Sequence, residues 1–318
     1  MPDVLAEAKP YLKGLDDYYH REIEPWLTSR ETERLAALRR RWLITGGGVG
    51  GAAALALLML AVKLHPLWLL LPAALAVLAL ILGIRATSRL SAEVKVFLAE
   101  KLAAFFGFTY QADPTDDPTR RFRQLGLVPN YDRHSLEDQW SGAADGVRFS
   151  LVEAMLEEER IERDSKGNRE TSYHTVFRGV LLTLACPRPF RGDILIRRDL
   201  GGFANWFRKM FSSREPVRFD DPDFEAKFEV FADDAAEARR LLEPRLRLGI
   251  AAMAGDRTLT MAFSAGQVLL AVQSPDRFEL ASLGHTLVDP DRVRQMAVDL
   301  GIVFDAIECL DLRAKAPA

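Results

Sequence analysis

Two uncharged apolar runs stand next to each other in the first third of the chain. They cover residues 42–62 and 64–84, which is 21 residues each. A helix of that length spans roughly 30 Å, the hydrocarbon thickness of a bilayer. A signal peptide is excluded, because its apolar region is shorter and lies closer to the start of the chain. The sequence therefore predicts a transmembrane hairpin over residues 42–84, with helices at 42–62 and 66–84.

Basic residues flank the two runs at their outer ends, whereas the connecting turn contains Lys63 as its single charged residue. The flanking basic residues are Arg34, Arg39, Arg40, Arg41, Arg85 and Arg89. Lysine and arginine accumulate on the cytoplasmic side of membrane helices. We therefore expect both termini in the cytoplasm, a short turn on the far side, and the lipid bilayer as a partner.

The first run is rich in glycine. Gly46 with Gly50, and Gly47 with Gly51, form two small-xxx-small pairs. Such pairs allow helix backbones to approach closely. Two interpretations remain open: these glycines pack against alanines of the second helix (Ala73, Ala76 or Ala79), or they form a contact between copies of the chain in a homo-oligomer.

Composition and motifs exclude several function classes. The chain has 42 basic and 45 acidic residues and a formal net charge of −3, so no nucleic acid is expected as a partner. Two cysteines are too few for a disulfide scaffold or a zinc site. The chain contains no nucleophile elbow, His-Glu-x-x-His, kinase or dinucleotide motif. The sequence thus predicts no catalytic residue and no cofactor, and it favours a protein that is not an enzyme.

The remaining chain divides into three further parts. Residues 1–41 form an amphipathic cytosolic helical segment, which Pro25 interrupts and a capping box at residues 28–31 restarts. Residues 85–122 continue the helical period as a stalk and linker. Residues 123–318 show paired strand-like runs with helices between them, which indicates an α+β domain of antiparallel hairpins. It forms one domain or two subdomains dividing near residues 216–222.

Several short motifs along the chain carry a resemblance to a known family. They are Tyr18-Tyr19-x-x-Glu22-Ile23-x-Pro25-x-Leu27 with Glu31 and Arg34, Tyr131-Asp132-Arg133 with Glu137-Asp138 and Gly142, Phe149-Ser150-x-x-Glu153, Val176-Phe177-x-Gly179, and Phe228-x-Val230 with Asp233-Asp234 and Ala238-Arg239. In these motifs the chain resembles an uncharacterised bacterial membrane-protein family with two N-terminal transmembrane helices and a cytosolic domain. The resemblance implies the cell inner membrane as location, and it brings no activity, cofactor or catalytic residue.

The densest group of polar residues lies between residues 131 and 138. It consists of Tyr131, Asp132, Arg133, His134, Glu137 and Asp138. The simplest interpretation is a surface turn in which Asp132 caps a short helix and Arg133 pairs with an acidic neighbour. If His134, Glu137 and Asp138 share a helix face, they are weak candidates for metal ligands. Together with Trp206, on a short amphipathic helix, the same residues are candidates for contact with a partner.

These observations favour a bacterial inner-membrane protein that tethers a cytosolic interaction or regulatory domain. Its partner would be another membrane or cytosolic protein, or a membrane component. Two alternatives remain: a membrane-tethered, metal-dependent enzyme, and an oligomeric accessory of a channel or transporter.

Overall fold

The computed structural model describes residues 9–163, 169–198, 216–255, 258–274 and 283–313. In this part the chain forms nine α-helices, two 3-10 turns (Pro10–Leu12 and Pro66–Leu69) and one π-turn (Tyr19–Ile23). The helices are α1 Leu15–Tyr18, α2 Glu24–Ala61, α3 Leu70–Phe106, α4 Thr119–Gln124, α5 Pro222–Glu225, α6 Ala235–Leu241, α7 Pro244–Ala254, α8 Pro290–Leu300 and α9 Ile302–Cys309.

Eight strands form a single antiparallel sheet. They are β1 Thr109–Gln111, β2 Arg133–Ala144, β3 Val147–Arg163, β4 Arg169–Ala185, β5 Ile194–Arg198, β6 Phe228–Ala232, β7 Leu259–Ser264 and β8 Gln267–Gln273. Their order across the sheet is β1-β2-β3-β4-β8-β7-β5-β6. Long N-terminal helices followed by such a sheet with helices confirm the predicted α+β fold.

The chain separates into two compact units. The first contains residues 1–102 and 279–297, and the second contains residues 103–278 and 298–318. Residues 279–297 thus join the N-terminal helices, an association that the sequence did not suggest. Strands β5 and β6, which precede and follow residues 216–222 in the sequence, pair with each other.

Helix α2 runs for 38 residues from Glu24 without a break. The predicted interruption at Pro25 is wrong: Pro25 lies in the first helical turn, where a missing N–H leaves no hydrogen bond unmade. The predicted capping box is wrong as well, since Ser29 and Glu31 already lie inside the helix. The helix continues directly into the first apolar run.

The two long helical segments, Pro10–Ala61 and Pro66–Phe106, are long and apolar enough to cross a membrane. Only 6% and 17% of their most apolar stretches are buried. A core helix of a soluble protein would bury this surface, since contact with water is unfavourable for apolar side chains. Both helices are therefore candidates to span a membrane.

The glycines of the first run differ in their contacts. A Cβ added at Gly48 would lie 2.3 Å from the Ala79 Cβ, so α2 and α3 pack closely at Gly48. A Cβ added at any of the four glycines of the small-xxx-small pairs would meet nothing within 4 Å among the described residues. Those four are Gly46, Gly47, Gly50 and Gly51. They therefore do not mediate the packing between the two helices.

The β3–β4 hairpin is the longest element of the sheet, with 17 residues in each strand. Its turn, residues 164–168, lies outside the described residues. Glu153 pairs with Val180 and His174 pairs with Glu158, so Glu153 and His174 do not face each other.

One core cluster lies on one face of the sheet, and buried residues such as Leu151 and Val180 lie on the other face. Side chains alternate between the two faces of a strand, so Val152 and Ala154 of β3 join the core cluster while Glu153 points to the opposite face. Phe122 of α4 closes over this core and is fully buried. The loop after α4 brings Tyr131 into the same cluster immediately before β2.

Candidate functional site

The polar segment at residues 131–138 is not a helix. Residues from Arg133 onward form β2, which pairs along its length with β3. In a strand, residues three apart lie on opposite faces, so His134 and Glu137 do not share a face and the predicted helical arrangement is wrong. Trp206, the other predicted contact residue, lies outside the described residues.

Tyr131 stabilises the core. Only 9% of its surface is exposed, and its hydroxyl lies 2.7 Å from the Thr119 hydroxyl. The Arg123 guanidinium lies 4.8 Å from the centroid of its ring. Tyr131 therefore fastens α4 to the start of β2 and presents little surface to a partner.

Asp132 joins the beginning of β2 to β3. Its backbone N–H donates to the Glu157 carbonyl at 2.8 Å, and its Oδ2 accepts from the Glu159 N–H at 2.7 Å. The predicted helix cap is therefore wrong, because the carboxylate satisfies a strand N–H. Asp132 holds the two strands in register.

Asp138 occupies an irregular position of β2. It is only 1% exposed and has a φ of +52° at a break in the register between β2 and β3. This left-handed conformation costs a non-glycine residue about 1–2 kcal/mol. The Tyr110 hydroxyl donates to its Oδ1 at 2.6 Å, and its own N–H donates to the Ala112 carbonyl at 3.1 Å. Asp138 is therefore a structural residue of the bulge.

Close packing explains the glycine at two positions of the family motifs. A Cβ added at Gly179 would lie 2.1 Å from the Val272 carbonyl oxygen, where β4 and β8 approach each other. At Gly142, φ is +153° and a Cβ would press on the Phe108 ring at 3.3 Å. Close packing therefore accounts for both glycines.

The exposed residues of the segment do not gather into a metal site. The Arg133 guanidinium lies 3.5 Å from the centroid of the Tyr173 ring, and His134 Nε2 lies 3.6 Å from Asp117 Oδ2. Within the described ranges, no three His, Cys, Asp or Glu side chains are arranged to hold a metal ion. The weak metal candidates His134, Glu137 and Asp138 therefore do not converge.

One edge of β2 is open at the predicted segment. Strand β1 pairs only with residues 139–141 of β2. The pairing ends with the hydrogen bond from the Asp138 N–H to the Ala112 carbonyl. Among the described residues, no strand pairs with the outer edge of residues 133–137. An open strand edge presents backbone N–H and C=O groups to which an extended peptide can bind.

A polar hollow of about 80 Å³ lies beside this edge, on the face of the sheet opposite the core cluster. Its lining comprises Ser135, Glu137, Glu153, Ala154, Met155 and Arg178. Glu137 and Glu153 are directly opposite each other on neighbouring strands, and Glu153 is only 7% exposed. Two carboxylates against one guanidinium leave the hollow with an excess of negative charge. Sequence reasoning identified Glu137 but not its partners, which come from other strands.

A second cluster, in the N-terminal unit, was not predicted. Arg34 is 8% exposed, and its Nη1 donates to the Leu283 carbonyl at 3.0 Å. Its Nη2 donates to Glu31 Oε1 at 2.7 Å, and Glu31 Oε2 accepts from the Leu287 N–H at 3.1 Å. We call these four residues the Arg34 clasp. It attaches a late segment of the chain to helix α2, next to the apolar run.

Neighbouring contacts support the clasp. The Arg294 Nη2 donates to Asp16 Oδ1 at 2.9 Å, and the Tyr18 hydroxyl donates to the Lys101 carbonyl at 3.0 Å. Tyr19 is 2% exposed; its burial, with a smaller contribution from Glu24, raises the pKa of its hydroxyl to about 12. Glu31 and Arg34 belong to the N-terminal family motif, but that motif gives no indication of their partners at residues 283–287.

Part of the chain matches a known protein family. Residues 175–312 match a family described as "Protein of unknown function (DUF3137)". The match begins inside β4, continues through α9, and includes the motifs around Gly179 and Val230. This confirms the resemblance to a family of unknown function for that part of the chain.

Among solved structures, the chain is similar to the crystal structure of the mycobacterial trehalose monomycolate transport factor A, TtfA. The two are 13% identical, with a TM-score of 0.34, over 71% of this chain and 98% of that chain. No curated protein sequence matches the chain.

Proposed function

We propose that this chain is a multi-pass protein of a bacterial inner membrane, with both termini in the cytoplasm, which tethers an α+β interaction module. Two exposed apolar helices support the membrane anchor. The arginines at the outer ends of both apolar runs support the orientation.

The module binds an extended segment of a partner protein by strand addition at residues 133–137 of β2. The observation that carries this proposal is the open edge next to an acidic hollow. Backbone hydrogen bonds along an added strand provide affinity, and pockets for alternate side chains provide specificity. Because Glu137 and Glu153 outnumber Arg178, the hollow favours a lysine or arginine side chain of the bound segment.

Site-specific photocrosslinking in native membranes tests this proposal. A photoreactive residue at Ser135 should capture a specific partner, whereas one at exposed Arg148 of β3 should not. Glu137→Lys should abolish the capture, because it reverses the charge beside the edge. Glu137→Gln should weaken it while thermal unfolding remains unchanged. Equal capture at both positions, or capture insensitive to Glu137→Lys, would rule out this edge as the binding site.

A second proposal concerns contact between copies of the chain. The four glycines Gly46, Gly47, Gly50 and Gly51 make no contact with α3, which favours a homo-oligomer formed through this surface. Replacing Gly47 and Gly51 by leucine should reduce the number of chains per particle, counted by single-molecule photobleaching in lipid nanodiscs. Leucine at the exposed Ala53 is the matched control. A wild-type chain that is strictly monomeric would refute this assembly.

A further inference from the structure

Four arginines next to the apolar runs differ from the other arginines of the same helices. Arg39, Arg40 and Arg41 of α2 and Arg85 of α3 are exposed. No described residue forms a hydrogen bond or ion pair with any of their guanidinium groups. We call these four residues the arginine collar.

Arginines farther from the apolar runs have carboxylate partners. Arg30 lies 2.7 Å from Glu33, Arg34 lies 2.7 Å from Glu31, and Arg89 lies 3.1 Å from Glu93. The four collar positions lack such neighbours, although the helices carry acidic residues one or two turns away. Among the described arginines of these two helices, those without a carboxylate partner are therefore the ones at the ends of the apolar runs.

The collar residues of the two helices lie at about one level. A Cβ added at Gly83 would lie 2.2 Å from Thr45 Cγ2 and 3.6 Å from the Arg41 carbonyl oxygen. Arg85, two residues after Gly83, is thereby placed near the height of Arg41. Consecutive residues on a helix point about 100° apart, so the three arginines of α2 spread around much of its circumference.

Trp42 marks the level at which the collar lies. It follows Arg41 directly and is 74% exposed. Tryptophan accumulates at the height of lipid headgroups, where its ring contacts the hydrocarbon edge and its N–H reaches the polar layer. The collar arginines therefore lie where lipid phosphates are.

We propose that the arginine collar binds the phosphate groups of anionic phospholipids. A guanidinium group can bind two phosphate oxygens at once. The four collar arginines need not break an existing ion pair to do so. Basic residues immediately next to a membrane helix are attracted to anionic lipids, each by about fivefold in affinity. This inference rests on the proposed membrane anchor and names a ligand for the region where the anchor leaves the bilayer.

Lipid titration of the full-length protein in neutral detergent tests the collar. Native mass spectrometry would count bound phosphatidylglycerol and phosphatidylcholine on the wild type and on a variant with all four collar arginines replaced by glutamine. We expect a preference for phosphatidylglycerol that falls about fivefold for each arginine removed and weakens at high salt. Glycerol 3-phosphate serves as the soluble competitor; it should not displace the lipid, because it lacks the chains that hold the headgroup at this level.

Two controls separate the possible outcomes. Replacing Arg148 and Arg245, which are exposed in the other unit, should leave the lipid preference unchanged. Replacing the collar arginines by lysine should retain only part of the preference, since lysine keeps the charge but cannot bind two phosphate oxygens at once. Equal phosphatidylglycerol binding by the wild type and the glutamine variant would overturn the proposal, as would complete displacement by glycerol 3-phosphate.

Alkaline carbonate extraction tests the anchor independently: a wild-type chain released from membranes would instead refute the proposed membrane insertion.

Discussion

The guanidinium of Arg34 and the backbone carbonyl of Leu283 form a 3.0 Å hydrogen bond across 249 residues of sequence. The same guanidinium is paired with Glu31, which in turn accepts from the Leu287 N–H. Helix α2 thereby holds a segment from the other end of the chain.

Replacing Arg34 by glutamine should lower the free energy of unfolding by about 2 kcal/mol, because a nearly buried, charge-assisted hydrogen bond is lost. Hydrogen exchange should increase most at residues 283–287. Arg30→Gln is the matched control: its ion pair with Glu33 is exposed and contributes at most about 1 kcal/mol. Chemical denaturation in detergent measures both. Equal losses in the two variants would show that the Arg34 clasp adds nothing beyond a surface pair.

The clasp should also weaken in acid. The hydrogen bond from Arg34 is the largest influence on Glu31 and lowers its pKa below the ordinary value of 4.5, although burial acts in the opposite direction. Because the folded-state pKa is depressed, the stabilisation is present above pH 4.5 and disappears as the pH falls through the folded value. Wild type should therefore melt at a higher temperature than Glu31→Gln at pH 7, and the two should converge as the pH falls through the folded value of the pKa. A difference in melting temperature that is constant with pH would contradict this.

Gly179→Ala should destabilise the sheet by about 3 kcal/mol, because the new methyl group would collide with the Val272 carbonyl oxygen. Gly146→Ala provides the comparison. Its φ of +78° is equally unfavourable for alanine, but a Cβ there meets nothing within 4 Å among the described residues. This control should lose only about 1 kcal/mol. Thermal unfolding would distinguish a steric collision from backbone strain, which predicts similar losses for both.

Tyr110→Phe should cost about 2 kcal/mol, since it removes the hydroxyl that donates to the buried Asp138 carboxylate. Tyr173→Phe removes a comparable hydroxyl, which donates to Glu159 at 3.3 Å in an exposed position. Its effect should stay within about 0.5 kcal/mol. The two variants would be compared by denaturant unfolding followed by tryptophan fluorescence. If Tyr110→Phe proves neutral, the bulge does not depend on this bond.

Much of the fold was predictable because its signals are local. The apolar runs give α2 and α3, and alternation gives β3, β4, β7 and β8. Strand β2 was missed because a register shift between Glu137 and Trp140 interrupts its alternation: Leu136 pairs with Ala154 on one face, whereas Trp140 pairs with Leu151 on the other. In the sequence, the spacing of four residues between Leu136 and Trp140 resembles a helix.

The candidate sites were less predictable, because they combine distant parts of the chain. The hollow at the β2 edge needs Glu153 from β3 and Arg178 from β4, which no local pattern connects with Glu137. The clasp joins residues 31–34 to residues 283–287. By contrast, the arginine collar is visible in the sequence as a flanking charge, and the structure adds that its members are unpartnered among the described residues.

Helix α2 has one further consequence. Its 38 residues form an uninterrupted rod of about 57 Å that contains both the apolar run and the Arg34 clasp. Membrane helices change their tilt when the thickness of the bilayer changes. Because no hinge separates the two parts of α2, a tilt of about 10° would swing the end near Glu24 by roughly 10 Å. With the proposed membrane anchor, the helix would act as a lever that converts bilayer thickness into displacement of the residues that hold the returning chain.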